Sequence, residues 1–326
     1  MQHIEIDINR LTGGYVNVFN NVSIKGNDNP LELSYDIRDN KITEKANNIF
    51  SKNLILCMIL YENGKIIYER YRRPCTPHTP MFSWSMSKSL VGYTTLYTVP
   101  DITKNVSEYS SRLKQSVYSN ISVENILKMS SGVTHKHYPH DIFWGLRNNI
   151  LSTLEYVTES SYRDKLSYNK FKYKDIDTHA LVNLLEDMGG FEEQFQKFIW
   201  QPARTESQAN WLLDKHDTII GSTGFSCIPK DWLRLAIYMM EQHNTNPLIK
   251  LANSAHIYNE HPRFDGIYFD YYGYHVWAKD NSFWWLGSGG QRIAVDPIKK
   301  KIMVVLSCSE YFMNKIYNLF GEFQRS

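Results

Sequence analysis

Cysteine is scarce in this chain of 326 residues, and charge of either sign is balanced almost to zero. The four cysteines, Cys57, Cys75, Cys227 and Cys308, are scattered without metal-ligand spacing and read as reduced, buried thiols. Lysine and arginine number 36 against 34 aspartates and glutamates, a net charge of +2, and no basic stripe stands out; nucleic acid is not an expected partner. No apolar run approaches the roughly 20 residues that a membrane-crossing helix needs, so no membrane partner is expected either. The start, Met1-Gln2-His3-Ile4-Glu5-Ile6-Asp7, lacks the charged and apolar blocks of a signal peptide, which makes the cytoplasm the expected location. Internal repeats and low-complexity tails are also missing. What remains is 42% hydrophobic and 21% charged, ordinary for a globular protein, and long enough for one large or two intimate domains around a sizeable core. Oligomeric state is left open.

Residues 1–50 are rich in Asn, Asp and Gly and read as an irregular lead-in. Leu54 to Tyr61 and Lys65 to Tyr71 then read as two strands joined by Glu62-Asn63-Gly64, a strong hairpin signal. The first strand is a continuous apolar run, which predicts cover on both faces. Residues 83–265 read as mainly helical, with a helix from Thr178 to Met188 closed by Gly189-Gly190 and another from Ile228 to Gln242 with Pro229 in its first turn. Strands return at Tyr272 to Ala278, Phe283 to Leu286, Gln291 to Val295 and Ile302 to Cys308, before a last amphipathic helix carrying Phe312, Ile316, Leu319, Phe320 and Phe323 on one face. The expected fold class is α+β in α/β/α layers. Residues 51–82 and 266–326 supply an antiparallel sheet from both chain ends plus a terminal helix, and 83–265 form the inserted, mainly helical region.

Chemistry concentrates in Phe82-Ser83-Trp84-Ser85-Met86-Ser87-Lys88-Ser89-Leu90. Ser85 and Lys88 are three residues apart at a helix start, so both lie on one face and the amine can reach the hydroxyl. A serine hydroxyl is a weak nucleophile until a base takes its proton. A lysine serving as that base must be uncharged; bringing it from about 10.4 to about 7 takes roughly 4–5 kcal/mol, which burial can supply. Ser83 or Ser85 is a candidate N-cap. Tyr173, in Phe171-Lys172-Tyr173-Lys174-Asp175, is a candidate proton carrier with Tyr168 as its rival among 22 tyrosines. Trp284-Trp285-Leu286-Gly287-Ser288-Gly289-Gly290-Gln291 is a strand running into glycines, where amides can face a developing oxyanion or simply turn the chain.

Taken in this order, the three pieces resemble the serine β-lactamase and penicillin-binding protein superfamily. The resemblance is best to class C β-lactamase-like esterases and amidases. Trp84 to Ser89 and Gly289 to Pro297 look most like the 6-aminohexanoate-dimer hydrolase branch, and Leu127 to Val133, Trp211 to Asp214 and Gly221 to Ser226 are also similar to family segments. It implies a β-lactamase/transpeptidase-like fold over roughly residues 50–320 and a serine hydrolase that needs no cofactor. By that resemblance Ser85 is the acylated nucleophile, Lys88 takes its proton, and Tyr173 shuttles it to the leaving group. The amides of Ser85 and Ser288 form the oxyanion hole, with Gly289 the alternative one residue on. Asp175, Trp285, Gly287 and Gly289 contact substrate.

Two departures shape the expected substrate. The family's Tyr-x-Asn reads Tyr173-Lys174-Asp175, and the aspartate adds a negative charge that favours protonated Lys88. Its Lys-Thr-Gly reads Trp285-Leu286-Gly287, which loses the groups that hold a carboxylate. Little β-lactamase or D-Ala-D-Ala peptidase activity is expected, and a neutral ester or amide, met by an aromatic wall with Trp285 at the pocket, fits better. A D-amino-acid peptidase or carboxypeptidase and a catalytically silent binding homologue are the alternatives. His135-Lys136-His137-Tyr138-Pro139-His140 has a metal-like density of histidines but no second ligand group, so no metal is expected.

Overall fold

The computed structural model describes residues 19–135, 144–159, 161–254, 257–258, 269 and 271–326. Its strands are β1 (Asn21–Ile24), β2 (Ser34–Tyr35), β3 (Ile55–Glu62), β4 (Lys65–Tyr71), β5 (Met81–Phe82), β6 (Val133–His135), β7 (Ser161–Arg163), β8 (Ala209–Leu212), β9 (Phe225–Cys227), β10 (Ile257–Tyr258), β11 (Tyr271–Tyr272), β12 (Trp277–Lys279), β13 (Ser282–Gly287), β14 (Gln291–Asp296) and β15 (Lys301–Ser307). The helices that matter below are α1 (Lys41–Lys52), α2 (Ser87–Thr98), α3 (Thr153–Thr158), α4 (Asp175–Glu186), α5 (Pro229–Thr245) and α6 (Met313–Arg325).

A nine-stranded sheet in the order β10-β11-β12-β13-β14-β15-β3-β4-β2 unites the two ends of the chain, as expected for the α+β class. Its pairs are antiparallel except β2 with β4. Asn63 and Gly64, with φ of 49° and 91°, make the tight β3–β4 turn, a conformation that Asn-Gly adopts at little cost.

Side chains alternate across the sheet with period two. Cys57, Ile59, Phe283, Trp285, Ile293, Val295, Ile302 and Val304 join α2, α4 and α5 in one core. Met58, Leu60, Trp284, Leu286, Ala294, Met303 and Val305 join α1 and α6 in the other. Each such fully buried side chain contributes about 1.5–3 kcal/mol of transfer free energy. Both faces are therefore covered, which is why β3 reads as a continuous apolar run.

Three sequence expectations change. The lead-in is not wholly irregular: β1 pairs with β8, and α1 starts at a capping box in which Asn40 Oδ1 accepts from the amides of Ile42 and Thr43. The strand predicted from Tyr272 to Ala278 breaks into β11 and β12, because His275 adopts a left-handed φ of 62°. The helical stretch also holds strands of a second sheet, β1-β8-β9-β5, in which Phe82 pairs with Ser226. That sheet delivers the chain to the start of α2. Among the described residues no helix is long and apolar enough to cross a membrane.

Candidate active site

The turn after β5 is locked from several sides. The Ser83 amide donates to the Phe225 carbonyl at 2.8 Å, and Ser83 Oγ donates to the Trp84 carbonyl at 2.9 Å. Trp84 takes a left-handed φ of 47°, a costly state for a bulky residue, directly before Ser85. A short 3-10 turn, Trp84–Met86, then feeds α2. Neither Ser83 nor Ser85 caps the helix through its side chain, contrary to expectation. The Ser85 hydroxyl is engaged by Lys88 instead.

Lys88 Nζ donates to Ser85 Oγ at 2.8 Å and to the Ser222 carbonyl at 2.9 Å, and stands 2.7 Å from Asp175 Oδ1. Tyr173 stands beside it, with its ring centroid 5.1 Å from Nζ. The Lys88 side chain is 1% exposed and that of Asp175 26%, so Asp175 is the more exposed member of the pair. Burial works against both charges. For Lys88 it is outweighed by the charge of Asp175 and by Tyr173, and the pKa is raised above the ordinary lysine value. For Asp175 it is outweighed by Lys88, and the pKa falls below the ordinary carboxylate value. The resting amine is therefore an ammonium. This corrects the expectation of an uncharged lysine produced by burial: geometry brings the amine to the hydroxyl, but Asp175 keeps it charged.

Tyr173 is half-buried, with its ring 5.3 Å from Trp277 and 6.0 Å from Tyr272. Its rival Tyr168 is committed elsewhere, accepting from Asn125 Nδ2 at 2.6 Å beneath the Arg163 guanidinium. The strand β13 lies against the turn that carries Ser85. A Cβ added to Gly287 would meet the Ser83 carbonyl oxygen at 2.3 Å, so this buried glycine is what lets the strand edge approach. Gly287→Ala is expected to cost about 1–3 kcal/mol by overpacking; calorimetry reads this as a lowered Tm, and an unchanged Tm would mean the strand is free to move away.

Ser288 follows as a half-buried residue, with its amide next in line after Gly287. The amide of Gly289 donates to Glu310 Oε1 at 3.0 Å, so the alternative oxyanion register is already spent. Glu310 is in turn buried beside Arg292, whose Nη1 donates to the Gly287 and Gln291 carbonyls at 2.5 Å and 2.8 Å.

Trp285 is corrected. It is fully buried, and its Nε1 donates to Tyr93 Oη at 3.1 Å while Tyr93 donates to Asn253 Oδ1 at 2.6 Å. It faces the helical core and does not form the pocket wall, because it shares the inward face of β13 with Phe283. Ser222, His179 and His275 were not singled out in the sequence. Ser222 acts through a carbonyl, which any residue type offers; His179 had one signal, its place one helical turn beyond Asp175. Of the histidine cluster only His135 is described, and residues 136–140 lie outside the described residues. Among the described residues no group of three or more His, Cys, Asp or Glu side chains could hold a metal ion.

The Beta-lactamase family model matches residues 56–318. The chain belongs to this beta-lactamase family. No curated protein matches its sequence. Among solved structures, a candidate 6-aminohexanoate-dimer hydrolase from Bacillus anthracis is 18% identical with a TM-score of 0.78, covering 96% of this chain and 91% of that one. A class C beta-lactamase is 16% identical with a TM-score of 0.63, over 88% and 97% of the two chains. EstCE1, a hydrolase with promiscuous acyltransferase activity, is 13% identical with a TM-score of 0.65, over 83% and 94%. At these identities the likeness is one of fold. It places this beta-lactamase family member among structures that include hydrolases, and confirms the β-lactamase/transpeptidase-like expectation.

Proposed function

We propose that this protein is a serine hydrolase that cleaves a neutral ester or amide through an acyl-Ser85 intermediate. The observation that carries the reading is the line Ser85 Oγ, Lys88 Nζ, Asp175 Oδ1, with steps of 2.8 Å and 2.7 Å. A proton first crosses from Nζ to the Asp175 carboxylate, and the amine so freed takes the proton of Ser85 as Oγ attacks the substrate carbonyl. Asp175 ends protonated, Lys88 keeps its charge, and the negative charge passes to the carbonyl oxygen between the amides of Ser85 and Ser288. Collapse of that oxyanion expels the leaving group, which takes the proton of Tyr173; Tyr173 is reprotonated from Lys88, and Lys88 from Asp175, so the pair returns to its resting state. Water then attacks the acyl group in the reverse sequence and frees Ser85.

Weak β-lactamase activity follows from Trp285-Leu286-Gly287, since a buried indole stands where the family has a carboxylate-binding lysine. The closed Lys88–Asp175 pair favours one second reading, a binding homologue that keeps the cleft without turnover. A fluorophosphonate probe and a p-nitrophenyl ester series separate the two. Stoichiometric labelling of Ser85 with a burst of nitrophenol supports the hydrolase; no labelling at any pH from 6 to 10 supports the binding protein. Linear amides, D-amino-acid peptides and β-lactams in the same screen sort the substrate class. Tyr173→Phe is expected to lower ester turnover by about 10²–10⁴-fold, the usual contribution of a positioned proton carrier. A full rate in that variant would remove Tyr173 from the reaction.

A further inference from the structure

The serine-hydrolase reading leaves unexplained what holds the third contact of the Lys88 ammonium, the Ser222 carbonyl. Gly221 and Ser222 run between α2 and α4. A Cβ on Gly221 would meet Val182 Cγ2 at 2.5 Å and Val91 Cγ2 at 3.0 Å, so the missing side chain is what admits this strip of backbone between the helices. Once there, it is tied three times. Ser87 Oγ donates to the Gly221 carbonyl at 2.8 Å, Lys88 Nζ donates to the Ser222 carbonyl at 2.9 Å, and Ser222 Oγ pairs with His179 Nε2 at 3.0 Å.

Two of these ties come from α2. The His179 tie alone comes from α4, the helix whose first turn carries Asp175. Positions 175 and 179 are one turn apart and share a face. One face of α4 thus grips the lysine twice, directly through the Asp175 carboxylate and indirectly through His179 and Ser222. The two grips close a ring: Lys88, Asp175, the α4 backbone, His179, Ser222 and back to Lys88.

We propose that His179 is a positioning residue for acyl transfer, which acts through Ser222 to hold Lys88 Nζ between Ser85 and Asp175. The imidazole suits a fixed strut. It is fully buried, and burial lowers its pKa to about 4, Asp175 and Asp214 opposing and Lys88 assisting. It is therefore neutral whenever the hydrolase works. Its ring packs edge-on at 5.8 Å from Tyr156 of α3, which blocks sideways motion.

The proposal rests on the hydrolase reading, and the test keeps the two apart. The rate constant for labelling of Ser85 by a fluorophosphonate is measured per folded molecule in the full-length protein. His179→Leu and Ser222→Ala are each expected to slow labelling roughly tenfold or more, within the ~10²-fold that an ångström-scale misplacement costs. His179→Gln, which keeps a nitrogen near the Nε2 position, is expected to recover most of the rate. The double variant Ser222→Ala/His179→Leu should be no slower than the worse single one, because both changes cut the same bond. Ser222→Ala removes a hydroxyl only, so it keeps the test alive if His179→Leu does not fold. A role in stability alone would lower Tm and leave the rate per folded molecule unchanged; that result, or additive losses in the double variant, overturns the proposal while the hydrolase reading stands. Failure of the unaltered protein to label overturns both.

Discussion

Ser85→Ala is expected to abolish fluorophosphonate labelling and to reduce ester turnover by on the order of 10⁴–10⁶-fold, the range seen when a nucleophile that works as part of a unit is deleted. The structure predicts that this loss is not a loss of fold. The side chain removed is half-buried, and it accepts a hydrogen bond from Lys88. The ammonium keeps Asp175 at 2.7 Å and the Ser222 carbonyl at 2.9 Å, so no buried charge is orphaned. The helix start is held by the Ser83 hydroxyl, which donates to the Trp84 carbonyl, and by the Ser87 hydroxyl, which lies between the Gly221 and Trp84 carbonyls. Tm is therefore expected to stay close to that of the unaltered protein. Measuring both quantities on one preparation is decisive. Turnover within tenfold of the original would dismiss Ser85 as nucleophile, and a collapsed Tm would show that the serine is a structural part of the turn.

The parts of this site that local rules govern were legible in the sequence. The three-residue spacing of Ser85 and Lys88 on a helix start puts them in contact whatever the rest of the chain does, and Asn63-Gly64 dictates its own turn. The apolar run of β3 foretold a sheet covered on both faces. What failed depended on the direction of a side chain or on a distant partner. The place of Trp285 shortly before the glycines points to the pocket; the period of the strand, read from Phe283 onward, turns it into the helical core. Strand β1 is four residues long and exists through its partner β8, Asn21 lying opposite Leu212, which no local pattern announces. Asp175 was visible as a charge that favours protonated Lys88, but its distance from the amine was not, and that distance changes the chemistry from a lone base to a coupled pair.

The coupled pair makes its own prediction. Asp175 titrates below the ordinary carboxylate value and Lys88 above the ordinary lysine value. Between them the pair carries one proton on the amine and none on the acid, or after internal transfer the reverse, and the total does not change with pH. The rate of Ser85 labelling should therefore be flat from about pH 5 to about pH 9, inside both ionisations. Asp175→Asn breaks that symmetry. The amide cannot accept the proton from Lys88, and the attraction that outweighed burial is gone, so the pKa of the buried amine moves down. Serine activation then requires the uncharged amine in its own right. A rising limb should appear in the neutral-to-alkaline range, the rate falling about tenfold for each pH unit below its midpoint, with a plateau above it at least equal to the rate of the unaltered protein. If the unaltered protein already shows such a limb, Lys88 ionises alone and Asp175 is not its proton partner. If the variant stays flat and fast at pH 6, the amine is not the group that receives the serine proton, and the base must be sought at Tyr173.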